Sequence, residues 1–156
     1  MIHVVVPGLF DRKFKHLVLD YNGTLAVDGA ILPGVRRKLR LLARQIQIHV
    51  VTADTFGSAA RELARLPCKL TVVPAKSQDV TKQKYVAALG RDESICIGNG
   101  ANDRKMLRTA GLGIAVIQRE GLAVQALLTA DVICRDILDA LEILEHPQRL
   151  AATLRT

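Results

Sequence analysis

Short runs of β-branched and aliphatic residues alternate with amphipathic stretches almost from end to end of the chain. Residues 2–6, 16–20, 46–52, 70–73, 94–98, 113–117 and 131–134 read as strands. Several are continuously apolar, as strands covered on both faces are. Between them, 34–44, 58–66, 78–89, 102–110, 122–128 and 136–144 carry the apolar spacing of helices. Strand followed by helix, repeated, predicts an α/β fold: a three-layer Rossmann-like parallel sheet with helices on both faces. One connection breaks the rhythm. After Asp20 comes a segment in which Asp28-Gly29 is flanked on both sides by apolar residues. That is a hairpin signal, because a tight primed turn needs the positive φ that Asp and Gly tolerate. A small β-flap is therefore expected over the end of the strand at 16–20. Pro33 and Gly34 then open the next helix, where a missing N–H does no harm.

The chain has 156 residues, 49% apolar and 24% charged, which suits one globular domain over 1–156. No apolar run approaches the roughly 20 residues of a membrane helix. Residues 1–10 lack the basic start and long apolar run of a secretory signal, so a cytoplasmic location is expected. Cys68, Cys96 and Cys134 form no C-x-x-C pair and read as free thiols. The formal charge of +7 favours anionic partners. Much of it lies in Arg12, Lys13 and Lys15, and in Arg36, Arg37, Lys38, Arg40 and Arg44 on one helix, where a solvated face is the plain explanation. Aromatics are only 3%, so stacking platforms for single-stranded nucleic acid are scarce and nucleic-acid binding is the minor reading.

Ligands of an open parallel sheet bind outside the carboxyl ends of its strands, so the polar residues there carry the candidate chemistry. One predicted strand ends in Asp20, another in Thr52, and a third in Gly98-Asn99-Gly100-Ala101-Asn102-Asp103. Each has a bland alternative. Asp20 can turn the chain before Asn22-Gly23. Thr52-Ala53-Asp54-Thr55 can simply start a helix, and Lys82 can be a surface lysine. Gly98-x-Gly100 begins like a dinucleotide fingerprint, but Asp103 at its third glycine position would repel a pyrophosphate, and no Walker A sequence occurs.

The order of these pieces is more specific than any one of them. Asp20-Tyr21-Asn22-Gly23-Thr24-Leu25, then Val51-Thr52-Ala53-Asp54, then Lys82 ahead of Val86, then Gly98 to Asp103, resembles the four ordered motifs of the haloacid dehalogenase-like (HAD) hydrolase superfamily. Within it, the pattern is most similar to the phosphorylation domain of P-type ATPases and their small soluble relatives. The resemblance implies a capless phosphatase or phosphotransfer site. Asp20 would be the nucleophile and form an aspartyl-phosphate. Mg²⁺ would sit between Asp20, Asn22, Asn99 and Asp103, and Thr52, Ala53 and Lys82 would hold the phosphoryl oxygens.

Two positions depart from the commoner pattern, each by an amide for a carboxylate. Asn22 stands where HAD phosphatases usually carry the general acid, so slow hydrolysis of alkyl phosphate esters is expected. Asn99 stands where an Asp commonly helps hold the metal, so weaker Mg²⁺ binding is expected. A non-catalytic phosphate- or metal-binding regulatory protein on the same fold is the alternative. Spacing between the motifs leaves no room for a cap, so a homo-oligomer or a protein-sized partner is expected to cover the crevice above a phosphorylated small molecule or phosphoprotein. The apolar stripe Ile137, Leu138, Leu141 and Leu144 serves either such contacts or its own sheet.

Overall fold

The computed structural model describes residues 1–54 and 57–156. Its strands are β1 (Ile2–Val6), β2 (Phe10–Phe14), β3 (His16–Leu19), β4 (Ala26–Val27), β5 (Ala30–Ile31), β6 (Gln47–Thr52), β7 (Cys68–Val72), β8 (Ser94–Gly98), β9 (Leu112–Val116) and β10 (Val132–Cys134). Its helices are α1 (Val35–Leu42), α2 (Ser58–Leu63), α3 (Gln78–Leu89), α4 (Arg104–Thr109), α5 (Val124–Leu127), α6 (Ile137–Glu145) and α7 (Pro147–Leu154).

Six strands form a parallel sheet in the order β10-β9-β8-β3-β6-β7. The chain leaves β3 toward β6 and β7, then returns to the other side for β8, β9 and β10. This reversal makes the carboxyl ends of β3 and β8 a topological switch point, where such sheets bind ligands. Side-chain alternation supplies the two cores. Leu17, Leu19, Ile48, Val50, Ile95 and Ile97 enter one layer with α1 and α6; Val18, Val51 and Cys96 enter the other with Val86 of α3 and Met106 of α4. The stripe on α6 belongs to the molecule itself, since Ile137, Leu141 and Leu144 are buried in the first layer.

The flap forms as expected. β4 and β5 pair antiparallel, and Asp28 (φ 52°) and Gly29 (φ 77°) both take the positive φ of a primed turn. Other details differ from the sequence reading. β1 does not join the parallel sheet but pairs antiparallel with β2, a strand hidden beneath the charges of Phe10-Asp11-Arg12-Lys13-Phe14. Only residues 7–9 separate the two strands, far short of the dozen or so a parallel crossover needs. α7, also unforeseen, starts at Pro147 and buries Leu150. The basic face of α1 is partly neutralised: Arg36 pairs with Glu62, and Lys38 with Glu145 and Glu142, while Arg37, Arg40 and Arg44 are exposed. No helix of the described residues is long and apolar enough to cross a membrane.

Candidate active site

Period 2 along β3 puts Asp20, one residue beyond the strand, on the same face as Val18, and α3 covers that face. Lys82, one turn ahead of Val86 on α3, therefore points at Asp20. Its ammonium lies 2.5 Å from Asp20 Oδ1 and 2.7 Å from Asp103 Oδ1, with the lysine side chain and Asp103 wholly buried. The two carboxylates thus share one cation. Lys82 is no surface lysine.

Two acids against one base in a dry site leave a net negative charge. Burial first, and the Asp103 carboxylate second, push Asp20 up to about 7 against the pull of Lys82. Burial alone would lower Lys82, but Asp20 and Asp103 more than offset it and hold the amine well above its usual value. The lysine therefore stays charged at neutral pH, and Asp20 is the group that titrates near it.

Asp103 closes a 3₁₀ turn after β8 (Ala101–Asp103), where the sequence pattern suggested an α-helix from 102. Its Oδ2 accepts the N–H groups of Asn99 (3.1 Å) and Gly100 (2.9 Å). With Oδ1 on Lys82, both oxygens accept hydrogen bonds within the protein. Among the described residues, no group of three or more His, Cys, Asp or Glu side chains is arranged to hold a metal. Gly98 makes this arrangement possible: a Cβ there would stand 2.5 Å from Asp103 Oδ2. Gly98→Ala is accordingly expected to displace the Asp103 carboxylate and destabilise the chain by about 1–3 kcal/mol, the range of an overpacked core. Urea denaturation checks it; an unchanged midpoint would show that the loop yields freely.

The other expected residues surround this centre. Thr52 ends β6 beside β3 and is buried, with Ala53 next to it half-buried. Asn22 follows Asp20 by two residues and is exposed. Asn99, at the end of β8, is nearly buried; its Oδ1 accepts from Thr24 Oγ1 (3.3 Å), and its Nδ2 donates to the carbonyl of Gly121 (3.1 Å). Asp54, ahead of α2, accepts from Ser58 Oγ (3.0 Å) and the Ala59 N–H (2.8 Å). Thr55, read with Thr52 as a possible helix start, lies outside the described residues. The sequence reading gave no role to Thr24, whose carbonyl accepts from Gln118 Nε2 at 2.5 Å, or to the segment 118–121. Nothing marks Gln118 in the sequence.

A cleft of about 780 Å³, walled by His16, His49, Cys68 and Lys69, opens at the opposite, amino-terminal ends of the strands. It has no part in the Asp20 centre. His49 there hydrogen-bonds His16 (3.1 Å) and Tyr85 (2.9 Å), and burial pulls it down to about 4.

No family model matches the chain. The phosphoserine phosphatase of Lactococcus lactis subsp. lactis is 30% identical over 151 residues, covering 88% of this chain and 67% of that protein. A solved structure described as a HAD superfamily (subfamily III A) hydrolase from Legionella pneumophila superposes with a TM-score of 0.73 at 21% identity, over 92% of this chain and 88% of that one. The 3-deoxy-D-manno-octulosonate 8-phosphate phosphatase of Moraxella catarrhalis, solved with magnesium, phosphate and its sugar acid, gives 0.65 at 19% identity over 91% and 94%. Those likenesses share the fold built here around β3 and β8, and with the phosphoserine phosphatase match they establish that the chain belongs to the haloacid dehalogenase-like (HAD) hydrolase superfamily.

Proposed function

We propose that this chain is a phosphatase or phosphotransferase that works through a phosphorylated Asp20. The observation that carries the reading is the buried Asp20–Lys82–Asp103 cluster at the switch point of the sheet. An Asp20 oxygen attacks phosphorus, and the bond from phosphorus to the leaving oxygen breaks with its electron pair. Lys82, already charged and fixed, offsets negative charge on the attacking carboxylate and the transferring group, the electrostatic help this reaction chiefly needs. Thr52 and the Ala53 N–H hold phosphoryl oxygens. Water then attacks phosphorus, releasing inorganic phosphate and regenerating the Asp20 carboxylate.

Asp103 acts one step back, orienting Lys82 and the Asn99–Gly100 turn. The remaining donors, the Asp20 carboxylate, the Asn22 main-chain carbonyl and Asn99 Oδ1, are the hard oxygen ligands that suit Mg²⁺. Only one of the three is a carboxylate, which favours weak retention. Bound there, Mg²⁺ would supply further positive charge to the phosphoryl group. The site has no cap of its own between its motifs, and a second copy of the chain or a phosphoprotein substrate would cover it. Exposed Val124 and Leu127 on α5, with Leu128 just after it, offer apolar surface for such a contact.

Asn22 has an amide that cannot donate a proton to a leaving oxygen, so substrates with good leaving groups, such as acyl phosphates, are favoured. Asn22→Asp is expected to raise phosphate release from alkyl phosphate esters by about tenfold or more, the lower part of what general acid catalysis contributes, and to change the rate at which acetyl phosphate phosphorylates Asp20 much less. Equal effects on both substrates would contradict the assigned role. The amides at 22 and 99 also motivate a second reading, a regulatory protein that binds phosphate or metal without turnover. Failure to turn over acetyl phosphate in the wild type and in Asn22→Asp would favour it.

A further inference from the structure

A second cavity lies on the carboxyl-end side of the sheet, with a volume of about 450 Å³. Its floor is apolar, from Leu32 and Pro33 after the flap and Leu138 on α6; its rim carries Gln118, Arg119 and Arg135. Gln118 and Arg119 leave β9, and Arg135 leaves β10, so the rim is built from the same ends of the sheet as the Asp20 centre. The wall is also tied to that centre directly. Gln118 donates to the carbonyl of Thr24 in the nucleophile loop, and three residues on, the carbonyl of Gly121 accepts from Asn99. Gln118 itself sits at φ 47°, a left-handed conformation that side-chain-bearing residues occupy sparsely. This places the following residue, Arg119, on the rim.

The charges of the cavity are not equivalent. Arg135 is held by Asp139 through Nε and Nη2, both at 2.9 Å. Asp136, the carboxylate in the lining, caps α6 by accepting the Asp139 N–H. Arg119 has no carboxylate partner among the described residues. An unpaired guanidinium above an apolar floor matches a ligand that joins an apolar body to an anion, because the planar fork pairs with carboxylate or phosphate oxygens.

Resting on the phosphatase reading above, we infer that this cavity is the leaving-group subsite, and that Arg119 selects phosphorylated small molecules whose leaving group carries an apolar body and a second anionic group. Hydrolysis of 3-carboxyphenyl phosphate and phenyl phosphate, whose phenolic leaving groups are closely matched, tests it. The wild type is expected to show a kcat/KM about tenfold higher for the carboxylated substrate, as one charge-assisted hydrogen bond provides. Arg119→Ala is expected to bring that ratio close to one, and Arg119→Lys to restore part of it. The inference is overturned if the wild type shows no preference, if the preference survives Arg119→Ala, or if that variant lowers both substrates in equal proportion. Acetyl phosphate separates the two levels of the argument. A phosphoenzyme formed from it alongside no carboxylate preference overturns the subsite alone. No phosphoenzyme and no turnover of any of the three overturns the phosphatase reading, and the subsite with it.

Discussion

Replacing Lys82 by methionine, which roughly keeps the volume and removes the charge, is expected to abolish turnover and to lower stability by about 3–5 kcal/mol, the range for a buried ion pair stripped of one partner. The lysine side chain is wholly buried and is the shared cation for Asp20 and Asp103. Without it, two carboxylates face each other in a dry site, and Asp20, already raised by burial and by Asp103, is driven further above the ordinary carboxylate range. A carboxyl group whose pKa is raised on folding is free of penalty below its unfolded value and destabilises progressively as pH rises through its folded value. The deficit of Lys82→Met should therefore be largest at pH 8 and shrink as the solution is made acidic. Urea denaturation across that range checks both sign and size. A deficit independent of pH would mean that packing of the lysine stem, and not charge, is what Lys82 contributes.

The second large effect separates activity from stability. Asp20→Asn is expected to remove activity, by about 10⁴-fold or more, as loss of an attacking group does, while making the protein more stable at neutral pH. Asp20 is pushed up to about 7, first by burial and then by Asp103. Compared with an unfolded-chain value near 3.8, its ionisation therefore opposes folding increasingly between those two values and fully above about 7. The amide leaves Lys82 and Asp103 as a neutral pair. A gain of about 1 kcal/mol, or about 2–4 °C in Tm for a chain of this length, is expected at pH 8, disappearing near pH 4. Thermal melts at the two pH values decide it. An Asn variant less stable than the wild type at pH 8 would show that the Lys82–Asp20 attraction outweighs the crowding of two buried acids.

Both predictions start from features that were readable in the chain. The continuous apolar runs ending in Asp20, Thr52 and Gly98 identified three strands, because residues buried on both faces of a sheet leave that mark, while their adjacency emerges only from the pairing of β3 with β6 and β8. Asp28-Gly29 identified its turn through the φ values the turn demands. What stayed hidden depends on partners distant in sequence. The Phe10–Phe14 strand looks like a charged loop until Arg12 is seen donating to the carbonyl of Gly111 and pairing with Asp92. Sequence order places Asp103 near Asp20 but does not show that its oxygens accept from Lys82 and two main-chain N–H groups. Gln118 leaves no trace, since a left-handed glutamine held by a carbonyl 94 residues away has no local signature.

The absence of a proton-transferring side chain at Asn22 bears most heavily on the second half of the reaction, where water must be activated to cleave the acyl phosphate. The phosphorylated protein should therefore accumulate. Mixing it with radiolabelled acetyl phosphate and Mg²⁺, quenching in acid and mapping the labelled peptide is the direct measurement. Near-stoichiometric, acid-stable, hydroxylamine-labile label is expected on the peptide containing Asp20, and none in Asp20→Asn. Label retained in that variant, or acetyl phosphate turnover persisting without Asp20, would contradict a phosphorylated Asp20.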